Sequence, residues 1–207
     1  MTESNAVAGF LPSTNGLHFA NSWEPGPTIR LGILDPRLVG VGDAKAGLCG
    51  GMSWFVRERF EHGQPIPADA AAPANGSPLF KAIVRRQIMS LDWMRIPLRF
   101  WRAASMDPEA LVRRTVHKEW PRIRAEIDAG RLVLTGLIRH HGSNPMHLDR
   151  DHQVLAYAYD AEGPSGPTTI RVYDPNWPDR DDIEIHLSTA GFRQSTGELL
   201  LGVICLT

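Results

Sequence analysis

The hydrophobic period of this chain changes once, near Gly130, and that change restricts the fold more than any other feature. Upstream, from Gly47 on, apolar residues recur at helical spacing. Downstream they sit in short β-branched or aromatic segments, RLVLTGLIRH, HQVLAYAYD, TTIRVYD, DIEIHL and LLLGVICLT, separated by turn-rich pieces such as AEGPSGP. Strands that follow helices rather than alternate with them predict an α+β architecture. The expected arrangement is a helical lobe over residues 47–130 packed on an antiparallel sheet or half-barrel lobe over 131–207, with a cleft between them.

Within the helical lobe, Met52, Phe55, Val56 and Phe60 mark a helix that begins near Gly47 and stops at Gly63. The stretch QPIPADAAAPANGSP is a loop by composition. Leu79, Ile83, Val84, Ile88 and Leu91 form the stripe of a second helix. Pro97 is expected to interrupt the next segment, which carries Trp93, Phe100 and Trp101. Asp107 before Pro108 reads as an N-cap followed by proline at the first helical position. Pro121 is expected to divide the remaining helical stretch into two helices, the second ending at Gly130. Residues 1–46, rich in Gly, Pro, Asn and Ser, read as a partly ordered arm packing on a single domain over 47–207.

With 207 residues, 43% of them hydrophobic and 22% charged, the chain can bury a real core. A formal net charge of -1 argues against a global basic field for nucleic acid or an anionic membrane. Arg85, Arg86, Arg113, Arg114, Arg122 and Arg124 are interleaved with Glu119, Glu126 and Asp128, which describes a solvated helix face rather than a nucleic-acid groove. Two cysteines cannot build a disulfide framework. The first residues lack a secretory n-region and h-region, and no apolar run approaches the roughly 20 residues of a membrane helix. The expectation is a cytoplasmic protein without a classical secretion signal.

Three short motifs carry chemistry. Gly47-Leu48-Cys49-Gly50-Gly51-Met52 places Cys49 in the first turn of a helix, where free N–H groups and the macrodipole favour a thiolate. The neighbouring glycines leave room for a substrate backbone. By itself a lone cysteine among apolar residues is more often an inert core thiol. His152 opens the strand HQVLAYAYD, and Asp174-Pro175-Asn176-Trp177 closes the strand TTIRVYD. If those strands pair across AEGPSGP, hairpin register brings His152 beside Asp174 or Asn176. A cysteine nucleophile, a histidine base and an orienting carboxylate or amide make up the set that acyl transfer requires.

A cysteine heading a helix, followed by His and Asp/Asn on a C-terminal sheet, resembles the papain-like cysteine peptidases. Among these the chain is most similar to the bacterial branch containing the peptidases that trim double-glycine leaders, where an aspartate followed by proline is the third member. The resemblance spans about Gly47 to Asn176. It implies a papain-like fold, Cys49 as nucleophile, His152 as general base and acid, and Asp174 as the orienting residue, with Asn176 the alternative. Trp177 would shield the His152 contact from water, or else be an ordinary core or rim tryptophan. The family's oxyanion-hole glutamine, six residues before the cysteine, is here Asp43, which cannot donate when ionised. Lys45, the backbone N–H of Cys49 and Asn21 from the arm are the available substitutes.

His140, His141, His147, Asp149, Asp151 and His152 crowd one loop, but their spacing matches no zinc motif, and the acidic run from Asp174 to Asp182 misses the EF-hand pattern. No metal or organic cofactor is implied. Nucleotide and serine-hydrolase motifs are absent from the sequence, and Cys205 reads as an inert thiol in an apolar strand. The expected function is a cysteine peptidase acting on a peptide or protein through a thioester acyl-enzyme. Delivery as a bacterial effector or toxin domain through a dedicated secretion system is compatible with it. The alternatives are another acyl transfer of deamidase or transglutaminase type, and a catalytically silent papain-like module that binds a partner in its cleft.

Overall fold

The change of period at Gly130 is a change of layer. A computed structural model describes residues 2–24, 47–90, 95–144, 150–163, 166–188 and 191–207. Asp43, Lys45, Leu91, Trp93, His147 and Asp149 lie outside the described residues. Eight strands are described: β1 (Thr2–Ala6), β2 (Val133–Ile138), β3 (His152–Glu162), β4 (Thr168–Tyr173), β5 (Glu184–Ser188), β6 (Gly191–Gln194), β7 (Leu199–Leu200) and β8 (Gly202–Cys205). They form one sheet in the order β7-β6-β5-β4-β3-β2-β8, and its pairings are antiparallel. The helices are the short α1 (Pro12–Asn15), α2 (Cys49–Glu61), α3 (Pro78–Ser90), α4 (Arg95–Ala104), α5 (Pro108–Arg114) and α6 (Trp120–Asp128). Among the described residues no helix is long and apolar enough to cross a membrane.

The N-terminal segment is part of the fold. β1 pairs with β3 from Thr2↔Glu162 to Ala6↔Ala158, taking over the edge of β3 where β2 ends at Val133↔Ala156. Val7, Phe10, Leu17, Phe19 and Trp23 are buried in the same core as Met52, Phe55, Ile83 and Leu155. The polar TESNA carries no apolar alternation because all its side chains are exposed, so pairing here rests on backbone hydrogen bonds.

Three proline and capping expectations meet different outcomes. Asp107 caps α5, its Oδ1 accepting from Ala110 N at 3.0 Å, with Pro108 at the first helical position. Pro97 does not interrupt a helix. It is the third residue of α4 as described, in the first turn, where a helix tolerates proline. Pro121 does not split its segment with a loop either. The chain runs from α5 through a π-helical turn, Thr115–Glu119, directly into α6, and Pro121 sits in the first turn after the widening. Trp120 N–H reaches back five residues to Thr115, so the ladder widens before the proline and absorbs its missing donor.

That turn also seals one edge of the sheet. β8 is terminal, and its outward backbone groups are taken by side chains. Thr115 Oγ1 accepts from Val203 N at 3.0 Å and donates to Val203 O at 3.1 Å. Glu119 Oε2 accepts from Cys205 N at 3.1 Å, and Arg99 donates to Cys205 O. The four-residue spacing of Thr115 and Glu119 matches the two-residue repeat of the strand, so two side chains do the work of a missing neighbour.

Where α4 meets the sheet the fit is tight. A Cβ on Gly136 in β2 would stand 2.6 Å from Phe100 Cζ and 2.8 Å from Ile204 Cγ1. Gly136→Ala is therefore expected to destabilise by about 1–3 kcal/mol through overpacking. Urea denaturation measures this, and a change below about 0.5 kcal/mol would mean that Phe100 can leave its seat freely.

The arginines of the helical region are mostly ion-paired. Arg86 pairs with Glu58 at 2.8 Å, Arg113 with Glu109 at 3.6 Å, Arg114 with Glu119 at 2.7 Å, and Arg124 with Glu3 and Asp128.

Candidate active site

Cys49 is the first residue of α2, with Leu48 before it out of helical conformation at φ -123°, ψ 34°. Of the orphan N–H groups in this first turn, Gly51 N donates to Gln87 Oε1 of α3 at 2.6 Å and Met52 N to Leu48 O at 2.9 Å. Among the described residues no acceptor is found for the N–H groups of Cys49 and Gly50. The glycines serve packing, which corrects the expectation that they clear a path for substrate. A Cβ on Gly51 would lie 2.4 Å from Ile83 O, and one on Gly50 would lie 2.8 Å from the Gln153 amide. Both glycines are buried, and their bareness lets α2 press against α3 and β3.

β3 and β4 pair from Leu155↔Tyr173 to Ala161↔Thr168, so the start of one strand lies beside the end of the other. His152 and Asp174 meet there. His152 Nε2 donates to Asp174 Oδ1 at 2.7 Å, and both residues are buried, at 3% and 1% exposure. Asp174 is held from three sides: its Oδ1 also accepts from Asn176 N at 2.9 Å, and its Oδ2 accepts from Gln194 Nε2 at 2.6 Å. With Nε2 committed to Asp174, Nδ1 is the ring nitrogen left to serve Cys49, whose thiol feels the charge of the imidazole.

Electrostatics follow from this chain of contacts. Burial acts against the His152 imidazolium, but the charges of Asp174 and Cys49 outweigh it and push the imidazole up to about 10. Burial would likewise raise the Cys49 thiol. The His152 charge and hydrogen bond, aided by the backbone N–H of Gln153, reverse this and hold it below the ordinary thiol value. Burial opposes the Asp174 charge as well, and His152, Asn176 N–H and Gln194 bring its carboxyl below the usual range. Cys205 behaves oppositely, since burial pushes that thiol up with no imidazole beside it.

Asn176 and Trp177 are placed differently from Asp174. The Asn176 side chain is exposed and accepts from Asn21 Nδ2 at 3.3 Å. Trp177 is 42% exposed, with the Arg180 guanidinium 6.0 Å from its ring centre. Together with Arg139, Thr196 and Glu198 these two residues line a cleft of about 410 Å³ beside the Asp174 end of the site. His140 and Asp151 form a second buried pair next to His152, at 3.1 Å.

Sequence reasoning did not find Gln87, Gln153 or Gln194. Each is a buried polar residue, and each touches Cys49, its helix or Asp174. An isolated buried glutamine that must find a partner is the one sequence-level sign they offered. Comparison with protein-family models, with curated proteins and with solved structures returned no match.

Proposed function

We propose that the protein is a cysteine hydrolase of papain-like type, acting on a peptide or protein through a thioester acyl-enzyme. The observation that carries this reading is the buried His152–Asp174 pair, 2.7 Å apart, with Cys49 at the head of α2 electrostatically coupled to its imidazole. In the resting state Cys49 is the thiolate and His152 the imidazolium. The thiolate sulfur attacks the carbonyl carbon, a C–S bond forms, and the π electron pair moves to oxygen. As that pair returns, the bond to the leaving amine breaks and His152 Nδ1–H supplies its proton. Water then attacks the thioester, giving a proton to neutral His152, and collapse expels the Cys49 thiolate, which restores the thiolate–imidazolium pair. Asp174 keeps the imidazole in one orientation and stabilises its charge throughout.

The pair exists above the lowered pKa of Cys49 and below the raised value of His152 near 10. Alkylation of Cys49 by iodoacetamide, followed from pH 4 to 9, is therefore expected to be fast at pH 6 and nearly flat above it. In His152→Ala the rate should instead rise only near the free-thiol pKa of about 8.5. If the two proteins give the same rising curve, no activated nucleophile exists and the hydrolase reading fails.

A further inference from the structure

Acyl transfer places a full negative charge on the former carbonyl oxygen, and preorganised neutral donors are needed where that charge appears. The N–H of Cys49 supplies one. The structure brings the Asn21 amide from the N-terminal arm against Leu48, the residue before Cys49. Asn21 Oδ1 accepts from Leu48 N at 2.7 Å and from Trp23 Nε1 at 2.8 Å. Both partners can only donate, so the oxygen must face them and the nitrogen must face away. That nitrogen lies 2.8 Å from where a Cβ on Gly47 would stand, and Gly47 itself holds φ +89°. The amide nitrogen therefore borders the chain two residues before the nucleophile.

One Nδ2 hydrogen reaches Asn176 Oδ1 at 3.3 Å, a long contact, and among the described residues the second has no acceptor. The backbone is clamped as well, with Asn21 N donating to Pro175 O at 2.8 Å. One half-buried asparagine thus ties the residue before Cys49 to the loop that follows Asp174. It is rigid, neutral and an N–H donor.

We propose that Asn21 Nδ2–H donates, together with Cys49 N–H, to the oxyanion formed when Cys49 attacks a carbonyl. This rests on the cysteine hydrolase reading. When the sulfur–carbon bond forms, the displaced electron pair resides on an oxygen accepting from these two donors. When the pair collapses back, the leaving group departs with the His152 proton and both hydrogen bonds weaken to those of a thioester carbonyl.

Two reactions of the same thiolate separate this role from a structural one. Acylation by p-nitrophenyl acetate passes through an oxyanion, whereas alkylation by iodoacetamide is a direct displacement without one. Their ratio at a single pH cancels the thiolate fraction, with Cys49→Ala as the blank for both. In Asn21→Ala the ratio of acylation to alkylation is expected to fall about 10²–10³-fold, the usual cost of one such donor. Asn21→Asp keeps an acceptor for Leu48 and Trp23 but has no N–H, so it should show the same loss even if the alanine protein does not fold. A ratio within threefold of wild type in a folded Asn21 variant overturns the assignment. Slow wild-type alkylation at pH 6 instead brings down the hydrolase reading itself, so the two failures are distinguishable.

Discussion

Asp174→Ala is expected to reduce acyl transfer by about four orders of magnitude, the scale seen when the residue orienting a catalytic histidine is lost. His152 would keep its buried position without the carboxylate that fixes its orientation and sustains its charge. Its pKa should drop from about 10, because Cys49 alone would then oppose the effect of burial. The alkaline limb of the pH–rate profile should move down with it. Stability should fall by about 3–5 kcal/mol, since removing one partner of a buried pair strands the other.

The sign of the pH dependence is set by the direction of each shift. In wild type the His152 contribution to stability is complete below its unfolded value and is lost as pH climbs through about 10. The Asp174 contribution is present above the ordinary carboxylate pKa and is lost as pH falls through its depressed one. Asn176→Ala should retain most of the activity, because its exposed side chain touches neither His152 nor Cys49 directly. Steady-state kinetics of the two variants on one ester substrate decide the matter. The reverse ranking would assign the third role to Asn176.

The second large effect lies away from the site. Glu119 is fully buried, with Arg114 at 2.7 Å, Arg122 at 3.5 Å and Arg99 at 3.6 Å around it and the N–H of Cys205 on its Oε2. Glu119→Ala should cost about 3–5 kcal/mol, because it leaves three cations crowded together and a strand edge uncapped. With a urea slope of about 2 kcal/mol/M, the midpoint should fall by roughly 1.5–2.5 M. Glu119→Gln retains an acceptor for Cys205 N–H and should recover part of the loss. A midpoint within 0.3 M (about 0.6 kcal/mol) of wild type in the alanine variant would show that the cluster contributes no net stability.

The sequence made the architecture and the three central site residues legible because their signals are local. A change of period at Gly130, glycines around Cys49 and a hairpin that joins His152 to Asp174 can each be read within a window of some 25 residues. What stayed hidden depends on contacts across the fold. β1 has no apolar pattern, because it is exposed on both faces and held by the backbone of β3. Pro97 and Pro121 look like breaks until the helix start and the π-turn that accommodate them are seen. β6, which supplies Gln194 to Asp174, is four residues long with no strong apolar alternation. Asn21 stands among loop-forming residues, and its relation to Leu48 and Asn176 emerges only when the arm has docked.

The pairing of β1 with β3 also has a temporal side. A ribosome releases Thr2 long before Glu162, and at about 5–20 residues per second the first strand waits roughly 8–30 s for its neighbour to be made. The residues of the candidate site are scattered more widely still, from Asn21 through Cys49 and His152 to Gln194. Until His152 is made, a nascent chain therefore carries Cys49 with no His152 imidazole beside it. On the proposed reading, reactivity arises only after His152 is made, as the sheet closes, which spares the translating cell a half-built nucleophile.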